Sequence, residues 1–456
     1  MVAKAFVTLA ALAVGVLVLV AGTRGGSGHS EDDAEAAGAV ASRDGSGRAD
    51  HTRAARTLAT YDRHGTFRVN GRRFFPIGLT MPPPLGARTP WGTDAFDELV
   101  DGGITVFRTG AHGVFWSDEL LRETKLLSER AARRGVYTWV GLNELAEAWP
   151  RTPDEERLVR VVRTLRDHPA TLMWKGPDEP WPRFTPADLL RPYRLLKQHD
   201  PDHLVHNTFG PFSRDRSMLQ RRPDPPDLRP FGAVTDTYAV DVYPIYYHLL
   251  GVREPKLHMV GLWTKAIRRA TGASAVTTTV QICFAGSDGP PGSGAYVLPT
   301  RRQERFMAYD AIINGARGLF FYGGQLGYCH GKSDAEHGWN WTFWRAVLED
   351  LVAEIGVGSP LHPILLRPET TKELTVTSPR AQAISRLVDG DLWVLATLRG
   401  RRSEIVEIRG LPGWARAGRT YPDGRRVLAG AGRLRDRFPG WGVRVYRFTT
   451  APSEAS

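Results

Sequence analysis

The chain has 456 residues, 42% of them apolar and 24% charged, with a formal net charge of +11. That much apolar material excludes a wholly disordered protein and suffices for one large core and a smaller one. The basic excess does not point to nucleic acid, because it is spread along helical stretches such as "RAARRG" (130–135) and no nucleic-acid-binding module is present; composition bias or attraction of an exported protein to anionic envelope material explains it more simply.

In chain order, "MVAKAFVTLAALAVGVLVLVA" (1–21) sets one lysine before an apolar run, the pattern of a signal peptide or an N-terminal membrane anchor. Residues 22–60 are rich in Gly, Ser, Ala, Asp and Arg and read as a flexible linker. The folded part is therefore expected to be secreted or membrane-anchored, on the extracytoplasmic side. "TFRVNGRRFFPIGLT" (66–80) predicts a hairpin turning at Asn70–Gly71 and running into a strand at 74–79.

Helix-like segments at 93–102, 118–134, 153–167, 186–198, 255–270, 301–315 and 340–354 then alternate with the apolar runs "GITVFRTG", "GVYTWVGLNE", "ATLMWKGPDE", "HLVHNTFG", "TYAVDVYPI", "AVTTTVQICF" and "ARGLFFYGG". Eight strands between amphipathic helices predict an α/β fold, a closed (β/α)8 TIM barrel over 61–358. An open doubly wound sheet would need a glycine-rich phosphate loop after its first strand, where this chain reads "GLTMPPPLG". Beyond 360 the period falls to two in "AQAISRLV", "DLWVLATLR", "SEIVEIRGL" and "GVRVYRFTT", which predicts a small C-terminal antiparallel β domain, sandwich-like, over 359–450.

The C-terminal ends of barrel strands form the active face. Here they carry Arg108, His112, Asn143, Glu144, Asp178, Glu179, Trp181, Asn207, Asp241, Tyr243, Gln281 and Tyr322, with Trp339, Trp341 and Trp344 after the eighth strand. Aromatic rings that stack on sugar faces, mixed with carboxylates and amides that bond hydroxyls, suit a polysaccharide or oligosaccharide, although most tryptophans in such a barrel serve as core. Cleaving a glycosidic bond needs a proton donor and a second carboxylate, and no metal or organic cofactor. Glu179 is the expected donor, because Trp174, Pro180 and Trp181 bound an apolar site and ionised Asp178 beside it raises its pKa further. The competing role, capping the following helix, is weakened by that helix having its own start at Thr185 in "FTPADLL".

On these residues the sequence resembles glycoside hydrolases of the large (β/α)8 clan with an Asn-Glu pair after strand four. Its "WKGPDEPW" is similar to the Asp-Glu-Pro form found in a cellulase-like and β-galactosidase-like branch, and "FFPIGLT", "GITVFRTG", "VDVYPI" and "FMAYDAIINGARGLFFYG" extend the likeness over about residues 66–358. The resemblance implies that Glu179 is the acid/base, that Asp178 binds the 2-hydroxyl, that Arg108 supports the nucleophile and that Tyr243 lines the site. It breaks at strand seven, where the clan's nucleophilic glutamate is missing and Gln281 stands in "TTVQICFAGSDG".

Three readings are open: a second acid drawn from Asp241, Glu144 or Asp288, in that order; an inverting enzyme; or a degenerate barrel that binds glycan without cleaving it. Cys283 falls at the end of strand seven and Cys329 in the loop after strand eight, so a disulfide across the rim is expected if the chain is exported, two isolated buried thiols being the alternative.

Overall fold

The computed structural model describes residues 56–147, 151–211, 224–245, 255–283, 298–368 and 374–449. The N-terminal segment 1–21, most of the linker and Asp288 lie outside these residues. A three-stranded antiparallel sheet, Ala59–Tyr61, Phe67–Val69 and Arg72–Phe74, opens the fold, with its hairpin turning at Asn70 and Gly71 in left-handed conformation, φ 49° and 79°.

Eight strands follow: β1 (Ile77–Leu79), β2 (Val106–Gly110), β3 (Tyr137–Gly141), β4 (Thr171–Asp178), β5 (Leu204–Phe209), β6 (Thr237–Asp241), β7 (Val276–Gln281) and β8 (Leu319–Tyr322). They close into a barrel in the order β7-β8-β1-β2-β3-β4-β5-β6, every neighbouring pair parallel. Between them run α1 (Ala95–Asp101), α2 (Asp118–Arg133), α3 (Pro153–Leu165), α4 (Pro186–His199), α5 (Met259–Thr271) and α6 (Arg301–Ile313). The alternation predicted from sequence is thus a (β/α)8 barrel.

The helices start where their caps are written. The Asp94 carboxylate accepts from the N–H groups of Phe96 and Asp97, and Thr185–Asp188 and Thr300–Gln303 form capping boxes. Leu158, Val161, Val162 and Leu165, spaced to share one helical face, pack with Leu196 of α4 and with Val140 and Trp174 on the outside of the strands. The last crossover is not one straight helix. Trp341–Phe343 and Glu349–Ile355 are joined by a π-turn at Trp344–Leu348.

The C-terminal strands are β9 (Thr375–Val376), β10 (Ala381–Val388), β11 (Asp391–Leu398), β12 (Glu404–Arg409), β13 (Ala417–Tyr421), β14 (Arg426–Gly430), β15 (Arg433–Phe438) and β16 (Gly442–Phe448). They form one antiparallel ladder in the order β9-β12-β15-β14-β13-β16-β11-β10. Asp389 and Gly390, both at positive φ, make the two-residue turn between β10 and β11. Trp441 lies edge-on to Phe306 of α6, Arg305 donates to the Val443 carbonyl at 3.3 Å, and Val388, Trp393 and Leu395 join the apolar cluster of the barrel helices. The sheet therefore completes the burial of one side of the barrel.

Cys283, just past β7, and Cys329, in the loop after β8, are joined in a disulfide with Cα atoms 6.2 Å apart, as their placement after neighbouring strands predicts. Among the described residues no helix is long and apolar enough to cross a membrane.

Candidate functional site

Strand β4 builds the centre of the site. Its alternation points Trp174 outward into the helix layer, where the buried indole donates to Asp200 at 2.7 Å. Trp174 therefore does not bound the Glu179 pocket, contrary to the sequence expectation. Lys175 points the other way, into the barrel, fully buried with its ammonium 5.8 Å above the Trp139 ring.

In a regular strand Asp178 would face away from Lys175, three positions earlier. The β4–β5 register shifts between Lys175 and Asp178, and this irregularity turns the aspartate to the inner side, 2.6 Å from the Lys175 Nζ. Arg183 donates to the Asp178 carbonyl oxygen at 2.6 Å.

Glu179 closes the strand at φ 43°, a left-handed conformation that strains a residue with a side chain, and its N–H donates to the Thr208 carbonyl at 2.9 Å. It stands at the N-cap of the short turn Pro180–Arg183 but its side chain does not cap that turn. Its carboxyl lies over Gly210, where an added Cβ would come within 2.1 Å of Oε1. Gly210→Ala should fold, since the obstructed atom is the end of a flexible side chain. We expect it to lower kcat/KM for the reaction proposed below about 100-fold by displacing that carboxyl, with circular dichroism and steady-state kinetics as the check.

Around this centre the structure gathers much of the rim anticipated from sequence. The Tyr243 ring stacks on Tyr322 at 5.0 Å, His112 meets Tyr322 edge-on at 6.4 Å, and the Tyr243 hydroxyl donates to Asp241 Oδ2 at 3.1 Å. Asp241 is buried, and its Oδ1 has no hydrogen-bond partner among the described residues. The buried Arg108 guanidinium feels the charges of Asp178, Tyr322, Tyr243 and Asp241, which places it among them. Asn207 is buried against Gly176, where a Cβ would sit 2.0 Å from its Oδ1, and neither of its amide atoms has a partner among the described residues.

Other anticipated residues have different surroundings. Gln281 uses both ends of its amide on Ile245, accepting from its N–H and donating to its carbonyl at 2.8 Å each. Asn143 and Glu144 hold the loop after β2: Asn143 donates to the Val114 carbonyl at 3.0 Å, and Glu144 accepts the Trp116 N–H at 2.6 Å. Trp181 is half-buried and packs on the core. Trp339 is fully buried, donates to the Met81 carbonyl at 2.8 Å and clusters with Trp341 and Trp344.

Lys175, Arg183 and Glu147 were not anticipated. A lysine inside the apolar run "TLMWKG" was the available signal for the first, because a buried cation requires a partner.

The carboxyls differ sharply in charge state. Burial alone would raise Asp178, but Lys175 and Arg108 outweigh it and hold the group well below the usual carboxylate range. Burial, then the negative charge of Asp178, lifts Glu179 to about 7. Burial, then the charges of Glu179 and Asp178, lifts Asp241 well above its ordinary value. Burial, then Arg108, depresses His112 to about 3, so its imidazole is neutral.

The Asp178 side chain is 52% exposed although Lys175 beside it is buried, so the site is open to solvent on the Asp178 side. The site thus offers one fixed negative charge, one carboxyl that exchanges its proton near neutrality and one buried carboxyl raised well above its ordinary value. Among the described residues no group of three or more His, Cys, Asp or Glu side chains is placed to hold a metal ion.

The whole arrangement has solved counterparts in fold. The chain is similar to a glycoside hydrolase at 12% identity and TM-score 0.56, covering 87% of this chain and 98% of that one. An Anoxybacillus α-amylase matches at 11% and 0.52, covering 83% and 98%. A family 5 glycoside hydrolase from Bacteroides vulgatus matches at 12% and 0.51, covering 88% and 94%. These neighbours share the barrel fold. No protein-family model and no curated protein matches the sequence.

Proposed function

We propose that the chain is a glycoside hydrolase that cleaves an O-glycosidic bond of a cell-envelope or extracellular glycan, with Glu179 as proton donor and Asp241 as second carboxyl. The observation that carries this reading is the divided pair at the end of β4, with Asp178 clamped in its ionised form by Lys175 and Glu179 beside it titrating at about 7. The glycoside hydrolases among the fold neighbours support it.

Glu179 gives its proton to the leaving oxygen as the C–O bond breaks. After burial, the charge of Glu179 is the leading cause of the raised Asp241, so Asp241 ionises more readily while Glu179 keeps its proton, and the reactive form is the minority arrangement of the one shared proton, with Glu179 protonated and Asp241 ionised. Ionised Asp241 then meets the positive charge developing at the anomeric carbon, by attacking it or by taking a proton from water. The carboxyl spacing in the loaded site, roughly 5–5.5 Å or 6.5–9.5 Å, separates these two courses. Asp178 and Arg108 hold hydroxyls at the same centre.

In this reading residues 1–21 export or anchor the chain, 22–60 tether it, and the folded part works outside the cytoplasm, where the Cys283–Cys329 disulfide persists.

Lys175 sets the charges without touching substrate. Its positive charge lowers Glu179, so Lys175→Met should raise the Glu179 pKa and move the basic limb of kcat/KM to higher pH, while Arg108 still holds Asp178 ionised. Looser placement of Asp178 should lower kcat by about 10-fold to 100-fold. A pH–rate profile checks both.

A second reading, glycan binding without cleavage, is favoured by Gln281, whose amide is engaged with Ile245 at the strand end where the clan keeps its nucleophile. Hydrolysis of a panel of cell-wall and plant polysaccharides and aryl glycosides by the full chain separates the two. Cleavage that disappears in Glu179→Gln supports the hydrolase, and binding with no cleavage of any substrate supports the second reading.

A further inference from the structure

Phe115 is 78% exposed, the most exposed large apolar side chain among the described residues. Its loop is nevertheless tied down on both sides. The Val114 carbonyl accepts from Asn143, the Trp116 N–H donates to Glu144, and the buried Trp116 indole donates to the carbonyls of Gly141 and Leu142 at 3.1 Å each. Asn143 adopts φ 48° at this point and also donates to Glu144 Oε2 at 3.1 Å, so the two side chains that grip the loop are themselves coupled.

A pliable loop would let such a ring fold back onto protein, because apolar surface leaves water wherever the chain allows it. The anchoring on either side of Phe115 keeps the ring outward. The same loop, which follows β2, carries His112, whose ring meets Tyr322 of the site, so Phe115 belongs to the loop that borders the site. Nearby, Glu147 lies 3.5 Å from Arg183 and feels the charges of Glu144 and Asp178, so carboxylates and a guanidinium border the site as well. An aromatic face beside hydrogen-bonding groups suits a ligand with alternating C–H faces and hydroxyl edges.

We propose that Phe115 is the platform of a distal subsite that takes a neutral sugar ring of the glycan by its C–H face, outside the position where the bond is cleaved. This inference rests on the glycan reading of the site, and it extends recognition beyond the residues at the strand ends.

The test is affinity electrophoresis of the full chain through gels containing each of a panel of neutral polysaccharides, with Phe115→Ala, Phe115→Trp and the unaltered protein side by side. We expect one or more polysaccharides to retard the unaltered chain, Phe115→Ala to weaken that binding about tenfold and Phe115→Trp to retain it. Equal retardation of Phe115→Ala overturns the subsite, and so does an unaltered chain that no polysaccharide retards. Retardation that depends on Phe115 in a protein that cleaves nothing refutes the hydrolase while leaving the subsite supported.

Discussion

Glu179→Gln should cut the turnover of glycans with sugar leaving groups by about 10²–10⁴-fold, the usual worth of a positioned proton donor. The amide keeps the shape of the side chain, and the backbone bond from the Glu179 N–H to Thr208 does not depend on the carboxyl, so the fold is unaffected. Loss should be much smaller on aryl glycosides whose phenols leave without protonation. The sign of the pH effect follows from the raised pKa. The reactive form carries one proton between Glu179 and Asp241, so kcat/KM of the unaltered protein should fall only as the pair loses that last proton, above pH 7, and this limb should vanish in Glu179→Gln assayed on activated substrates. Equal losses on both substrate types would place the proton donor elsewhere.

Asp241→Asn should cost a comparable factor, on the order of 10²–10⁴, but on activated and unactivated substrates alike, because no choice of leaving group replaces the second carboxyl. The amide oxygen still accepts from the Tyr243 hydroxyl, which preserves the Tyr243–Tyr322 stack. Without the Asp241 carboxyl the residual activity needs only a protonated Glu179, so the basic limb of Asp241→Asn should move down to about 7. The two variants thus differ in a measurable pattern: a leaving-group dependence for Glu179 and none for Asp241. Unchanged turnover in Asp241→Asn would transfer its role to another acid at the rim.

Glu179 and Asp241 are legible in the sequence, but the reasons for their behaviour are only partly so. The influence of Asp178 on Glu179 follows from their adjacency in the chain. The apolar wall expected from Trp174 does not exist, because strand alternation sends that indole to Asp200. Lys175, which holds Asp178, stood in plain view as a lysine in an apolar run, yet regular alternation would have placed the two on opposite faces. Only the register shift in β4 brings them together. Asn143 and Glu144 could be assigned to the right rim, but their grip on Val114 and Trp116 joins loops from different strands.

The order of elements is written locally: eight apolar runs between amphipathic helices, the change to period two after residue 360, the hairpin at Asn70–Gly71 and the strand ends that carry Asp178, Glu179 and Asp241. These follow from backbone periodicity and turn chemistry, which act over a few residues and are written locally. Packing alone set which side chains meet inside the closed barrel, which tryptophans are core, and how burial and neighbouring charge divide three carboxyls into one ionised and two raised. Those outcomes depend on barrel closure, on one irregular strand and on desolvation, and no local pattern encodes them.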